Sequence, residues 1–104
     1  MLDKKTVREI AVKYADEVNK VLKPKAVILF GSCANGVPGE YSDIDIAVVF
    51  NNFQGNWLET ASLLFNLTWD ISIDIEPHMM DESSDPSGFL AHVKKTGEVI
   101  FEAA

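Results

Sequence analysis

The sequence has little positive charge and one cysteine. Lys and Arg number 9 against 16 Asp and Glu, which gives a formal net charge of -7 at pH 7. Affinity for nucleic-acid phosphates comes from clustered Lys and Arg, so this balance argues against direct nucleic-acid binding. Because Cys33 has no second cysteine to pair with, an internal disulfide is excluded, and a cytoplasmic location is the simplest expectation.

A long apolar segment is also missing from the N-terminus, where "MLDKKTVREIAVKYADEV" has charges throughout. Signal peptides and transmembrane spans need an uncharged apolar stretch, so we expect no membrane association. Repeats, linkers and segments of biased composition are absent too. With 104 residues, of which 47% are hydrophobic, the chain predicts one domain over residues 1–104. Such a domain has no room for a second lobe, so we expect its substrate to bind in a shallow cleft or to be brought by a partner.

The spacing of apolar residues alternates between the repeat of a helix and that of a strand. Helices are predicted after the capping residue Asp3, after Asn56 and from Asp85, and a short helix or turn after Gly31. Strands are predicted at residues 26–30, 43–50, 70–76 and 98–101. The fold class is therefore α/β (α+β), a small mixed sheet flanked by helices in the order α-β-α-β-α-β-α-β.

The stretch "GSCANGVPGEYSDIDIAVV" contains the residues that suggest chemistry. Gly31 and Ser32 follow the first strand, where outward backbone N-H groups and a hydroxyl can bind an anion. Asp43 and Asp45 are two residues apart in a strand, so both carboxylates lie on one face. Two adjacent carboxylates repel each other, and a shared Mg²⁺ or Mn²⁺ best explains the pair. Together these features predict metal-assisted phosphoryl transfer.

A third carboxylate normally completes a two-metal site. We select Asp74, which Ile73 and Ile75 flank in the predicted strand "DISIDIE". A neighbouring strand would bring its side chain to the same sheet face as the aspartate pair. Asp70 and Glu76 have the same parity in this strand and remain alternatives.

The residues "GS", ten intervening positions and "DID" resemble the G-S-x(10)-D-x-D signature of minimal nucleotidyltransferases in the DNA polymerase β-like superfamily. The resemblance covers nearly the whole chain and implies the fold of that superfamily. It implies transfer of a nucleoside monophosphate, usually from ATP, to an acceptor hydroxyl with release of pyrophosphate. The implied roles are nucleotide binding by Gly31, Ser32 and Ser42, and binding of two Mg²⁺ ions and catalysis by Asp43, Asp45 and Asp74.

Many proteins of this family are antitoxins that act beside a HEPN-family toxin, and some adenylylate a tyrosine of that toxin. The resemblance therefore implies a HEPN-type partner whose hydroxyl accepts AMP, in a homo- or hetero-oligomer. The sequence departs from the family at Cys33 and Asn35, where many members have basic residues. The alternative function is a catalytically weak or inactive antitoxin that neutralises its partner by complex formation. The basic residues that could replace the missing charge are Lys23, Lys25, Lys94 and Lys95.

The remaining conspicuous residues are interpreted as structural. His78 and His92 have no Cys or His partner at the spacing of a zinc site, so we expect no zinc centre. Trp57 and Trp69 flank the predicted middle helix and are assigned to packing in the core or at its rim rather than to base stacking.

Overall fold

The computed structural model describes residues 3–31 and 43–103. In chain order the elements are α1 (Lys4–Val21), β1 (Ala26–Phe30), β2 (Ile44–Phe50), α2 (Trp57–Asn66), β3 (Ile75–Asp81), α3 (Phe89–Thr96) and β4 (Glu98–Glu102). The predicted fold class is confirmed, while the short helix or turn expected after Gly31 lies outside the described residues. Across these two ranges, no helix combines the length and the apolar character that crossing a membrane requires.

The four strands form one mixed sheet in the order β3-β2-β1-β4. β1 is antiparallel to both β2 and β4, whereas β2 and β3 are parallel. Side chains of β2 alternate between two cores: Ile44 and Ile46 pack on the side of α1 and α2, and Ala47 and Val49 pack on the side of α3. β2 is thus covered on both faces, which explains its nearly continuous apolar sequence.

The capping residues that the sequence predicts begin the helices as expected. The Asp3 carboxylate accepts a hydrogen bond from the backbone N-H of Thr6, which lowers the pKa of Asp3. The Asn56 side chain accepts one from the backbone N-H of Glu59 at 3.0 Å. Asp85 differs in position because α3 begins only at Phe89, yet its carboxylate still accepts hydrogen bonds from two backbone N-H groups in the first turn.

The strand predicted at residues 70–76 is wrong, because β3 begins only at Ile75. Residues 67–74 form consecutive turns that continue from the end of α2, with the N-H of Ile75 bonded to the carbonyl of Ser72. Ile73, which the alternating pattern places inside the sheet, is 92% exposed. A strand needs a partner for its backbone groups. Among the described residues, this segment meets β2 only from Asp74, whose carbonyl bonds to the N-H of Ile44, and Ile75, the register partner of Ile44.

Tyr14 of α1 joins the two helices that cover one face of the sheet. Its buried hydroxyl donates a 2.7 Å hydrogen bond to the carbonyl of Leu64 in the last turn of α2. The N-H of Thr68, which would bond to Leu64 in a longer helix, instead bonds to the carbonyl of Phe65. The tyrosine therefore satisfies a carbonyl that the end of the helix leaves without an intrahelical partner. Burial raises the pKa of the Tyr14 hydroxyl.

We expect Tyr14→Phe to lower the free energy of unfolding by about 1 to 3 kcal/mol, because a buried carbonyl loses its donor. Urea denaturation followed by circular dichroism measures this loss. The slope of unfolding free energy against urea concentration should not change. Thr96→Val is the control, since the Thr96 hydroxyl also bonds to a helix carbonyl, that of His92, but is exposed. Its effect should stay within about 0.5 kcal/mol. Equal losses in the two variants would contradict the role of Tyr14.

Candidate functional site

The candidate site lies where β2 and β3 begin side by side. Asp43 directly precedes β2 and Asp45 is its second residue. In the parallel register Asp45 pairs with Glu76, and Ala47 pairs with His78. Because side chains alternate along a strand, these polar residues share the sheet face that α3 covers further along.

Three side chains converge closely at this edge. The Nε2 atom of His78 is 3.0 Å from Oδ1 of Asp45 and 4.0 Å from Oε1 of Glu76. One ligand atom from each residue lies within 4.8 Å of the other two. The exposed fractions of the side chains are 26% for Asp45, 32% for His78 and 47% for Glu76. The strand pairing therefore places the cluster, and each of its side chains remains partly exposed.

Asp43 adds a third carboxylate to the cluster. A side-chain hydrogen bond with Asp43 raises the pKa of Glu76, and burial and the charge of Asp45 raise it further, against the opposing effect of His78. Carboxylates this close repel one another, and a positive charge between them relieves the repulsion. The arrangement consequently favours a bound cation, and carboxylate oxygens are ligands that Mg²⁺ and Mn²⁺ accept.

Gly31 packs directly against the Asp45 carboxylate. A Cβ atom at position 31 would lie 2.5 Å from Oδ2 of Asp45, and the backbone there has a φ of +77°. Phe30, the preceding residue, is the register partner of Asp45 across β1 and β2. The glycine of the Gly-Ser motif thus gives the carboxylate its space. Ser32 and Ser42, the other predicted nucleotide-binding residues, lie outside the described residues.

Aromatic rings form the floor beside His78. The ring of Phe30 packs edge-on against the imidazole, with centroids 5.0 Å apart, and against Phe89 at 5.8 Å. Phe30 itself is buried. The contact restricts the imidazole, so that its Nε2 atom stays beside the carboxylates.

Asp74 directly precedes β3 instead of lying inside a strand. It lies in the turn before β3, where its carbonyl accepts a 2.7 Å hydrogen bond from the N-H of Ile44 and its own N-H donates to Ser72. Among the described residues, the group of ligand atoms that could share a metal includes Glu76 but neither Asp43 nor Asp74. Glu76, one of the two alternatives, lies beside Asp45 because β3 starts at Ile75, whereas Asp70 lies in the turns after α2.

His78 is the site residue that the sequence reasoning missed. It was assigned to structure because no Cys or His lies at metal-ligand spacing. The available signal was its position two residues after Glu76, which places both side chains on one face of a strand. That signal becomes informative only when residues 75–81, rather than 70–76, form the strand.

Basic side chains are scarce near this edge. The sequence contains no Lys or Arg from Ala26 to Val93. Two of the four lysines considered as replacements lie at the opposite end of the sheet: the N-H of Lys25 bonds to the carbonyl of Val49, and the Nζ of Lys94 bonds to Glu82 after β3 ends. Within the described ranges, the ion pairs of Asp45 and Glu76 are with His78.

A family model described as "Polymerase beta, Nucleotidyltransferase" matches residues 10–104. No curated protein matches the sequence significantly. The fold is similar to that of a candidate nucleotidyltransferase from Sulfolobus solfataricus, with a TM-score of 0.71 and 23% identity over 95% of this chain and 83% of that one. It is also similar to a chain of the MntA-HpeT toxin-antitoxin pair, crystallised as a mutant with two Asp-to-Glu substitutions. There the TM-score is 0.59 and the identity 18%, over 98% of this chain and 75% of that one.

Gly31→Ala tests the packing of Gly31 against Asp45, with Gly88→Ala as a matched control. Both glycines have nearly the same positive φ, but a Cβ at Gly88 would meet nothing within 4 Å. Both variants should lose about 1 to 2 kcal/mol of unfolding free energy, because alanine is strained in a left-handed backbone conformation. Gly31→Ala should lose about 1 kcal/mol more, because the Asp45 carboxylate has to move. It alone should shift the imidazole NMR signals of His78; equal losses and unchanged signals would contradict this packing.

Proposed function

The chain belongs to the polymerase beta nucleotidyltransferase family, and on this premise we propose that it transfers AMP from ATP to a hydroxyl of a partner protein. The observation that carries the proposal is the convergence of Asp43, Asp45 and Glu76 at one sheet edge. Transfer of a nucleoside monophosphate needs such a cluster, because divalent cations held by carboxylates neutralise the charge that develops on the reacting phosphate.

The three carboxylates have distinct roles in this proposal. Asp43 and Asp45 would hold the cations, Mg²⁺ or Mn²⁺, which would orient the α-phosphate. Glu76 takes the role predicted for Asp74: it would help hold a cation and accept the proton of the attacking hydroxyl. The hydroxyl oxygen forms a bond to the α-phosphorus while the bond from that phosphorus to the bridging oxygen breaks, and pyrophosphate leaves. Nucleotide binding by Gly31, Ser32 and Ser42 stays a prediction from the sequence.

The charge distribution supports a partner protein at the site. ATP brings a negatively charged triphosphate to an edge lined by carboxylates, and the segment from Ala26 to Val93 contributes no Lys or Arg. Bound cations offset part of this charge, and a partner with basic residues can offset the rest. The similarity to a chain of a toxin-antitoxin pair is consistent with this arrangement. We therefore extend the proposal to an antitoxin that modifies a HEPN-type toxin.

An exposed apolar surface on α2 offers the partner a docking site. Leu58 and Phe65, 77% and 52% exposed, are seven residues apart and share one side of α2. Trp69, in the turns after the helix, is 77% exposed, so the packing role expected for it is wrong. Ile73 is 92% exposed and precedes Asp74, whose carbonyl bonds to Ile44 at the start of β2. We call these four exposed residues the α2 surface. Contiguous exposed apolar side chains of this size are typical of protein interfaces.

The charges around the α2 surface favour a basic partner over a second copy of this chain. Glu59, Asp70 and Asp74 are the charged residues from Trp57 to Asp74, and all are acidic. In a symmetric dimer the same surface meets itself, so these acids would face one another. A basic partner complements them. Because the carbonyl of Asp74 bonds to Ile44 at the start of β2, the same partner could extend to the catalytic edge.

The activity is tested with [α-³²P]ATP, Mg²⁺ and a lysate of the source organism. We expect the purified chain to label a lysate protein from [α-³²P]ATP but not from [γ-³²P]ATP. Asp43→Asn and Asp45→Asn should each reduce labelling by more than about 100-fold, because one lost ligand removes several kcal/mol of stabilisation. The control is Asp16→Asn, which changes an exposed acid of α1. Full labelling by either site variant would overturn the proposal.

The shortage of basic residues favours a second candidate function, an inactive antitoxin that neutralises its partner by complex formation. The Asp45→Asn variant separates the two functions when it is produced together with the toxin in cells. Loss of neutralisation with an intact complex supports catalysis. Retained neutralisation supports masking of the toxin.

Phe65→Ser tests the α2 surface, with Val21→Ser as the control because Val21 of α1 is exposed to a similar extent, 51% against 52%. Phe65→Ser should raise the KM for the labelled acceptor by about tenfold, since central interface side chains contribute more than 1 kcal/mol. Binding of ATP and Mg²⁺, measured by calorimetry, should not change. Equal KM values in both variants would contradict docking here. A change in oligomeric state on sedimentation would instead assign the surface to self-association.

A further inference from the structure

His78 has no role in the three-carboxylate chemistry, yet it lies inside the cluster. We infer that its Nε2 atom is a ligand of the cation bound by Asp45 and Glu76, and that it shifts the preference of the site from Mg²⁺ toward transition cations such as Mn²⁺ and Co²⁺. This inference rests on the proposed function, because it concerns the cation that serves the transfer.

The observed distances suit three ligands of one cation. Ligand atoms about 2.1 Å from a cation and at right angles to each other are about 3.0 Å apart, and opposite ligands are about 4.2 Å apart. Nε2 of His78 is 3.0 Å from the Asp45 oxygen and 4.0 Å from the Glu76 oxygen. Little movement of the side chains is therefore needed to bind an octahedral cation.

The surroundings of the imidazole hold it in this position. β3 pairs with β2 along its whole length. The edge-on contact between the rings of Phe30 and His78 limits rotation of the His78 side chain. A fixed nitrogen ligand loses little conformational entropy on binding a cation.

The chemistry of the ligand atoms sets the preference for the cation. Mg²⁺ selects oxygen ligands and retains its waters, whereas imidazole binds Co²⁺ and other first-row transition cations well. A set of two carboxylates and one imidazole therefore gains affinity for Mn²⁺ and Co²⁺ and gains little for Mg²⁺. The segment "IEPHMM" provides this nitrogen two residues after Glu76.

A different role for His78 is a hydrogen bond that orients Asp45. In that case the proton lies on Nε2, which donates to the carboxylate, and the imidazole binds no cation. As a ligand, Nε2 must instead present its lone pair to the cation, with the proton on Nδ1. The two roles therefore differ in the tautomer of the ring when the cation is bound.

The test uses the full chain with ATP, titrated with MgCl₂, MnCl₂ or CoCl₂ by calorimetry. His78→Gln should weaken Mn²⁺ and Co²⁺ binding by more than about tenfold and Mg²⁺ binding by less than about threefold. His92→Gln is the matched control, because His92 is the other histidine of the chain and is exposed on α3. It should leave all three affinities unchanged.

Nitrogen-15 NMR of the two imidazoles gives a second readout that does not depend on activity. With diamagnetic Zn²⁺ as the probe, Nε2 of His78 should shift as a metal-bound nitrogen while the signals of His92 stay in place. An Nε2 atom that keeps its proton with the cation bound would overturn the inference, as would equal losses of Mg²⁺ and Mn²⁺ affinity in His78→Gln.

The calorimetric data distinguish failure of this inference from failure of the proposed function. If Asp45→Asn abolishes cation binding while His78→Gln binds every cation as the wild type does, the inference fails and the cation site of the proposed transferase stands. If the wild-type chain binds neither ATP nor any of the three cations, both are overturned.

Discussion

The candidate site depends on the parallel pairing of β2 with β3. This register aligns Ile44 with Ile75 and Asp45 with Glu76. Burial of both isoleucines on the side of α1 and α2 fixes it, because a shift by one residue would turn every side chain of β3 to the other face. Hydrophobic packing on one side of the sheet thereby positions the carboxylates on the other side.

The site is also coupled to the fold through β1. The positive φ of Gly31 turns the chain immediately after the strand, and its missing side chain leaves room for the Asp45 carboxylate. One residue earlier, Phe30 belongs to the core beneath α3 and also contacts the ring of His78. Phe30 and Gly31 therefore both position polar groups of the cluster, Phe30 through His78 and Gly31 through Asp45.

Charge is distributed so that the chain itself supplies little compensation to this cluster. The basic residues lie at positions 4–25 and at Lys94 and Lys95, while the strands and turns around the site contain acids. Such a site is electrostatically unfavourable without cations, and its neutralisation is linked to what binds there. Metal ions and a basic partner are two sources of the missing positive charge. The need for both arises from the excess of acidic over basic residues around the site.

The sequence by itself determined the features that depend on neighbours along the chain. The caps at Asp3 and Asn56, the apolar strand β1 and the shared face of Asp43 and Asp45 all follow from short-range hydrogen bonding and the two-residue period of strands. The tertiary structure alone brought Glu76 and His78 beside Asp45. Residues 70–76 alternate like a strand, but a strand forms only where another strand can pair with it. Among the described residues, this segment meets β2 only from Asp74 and Ile75 onward.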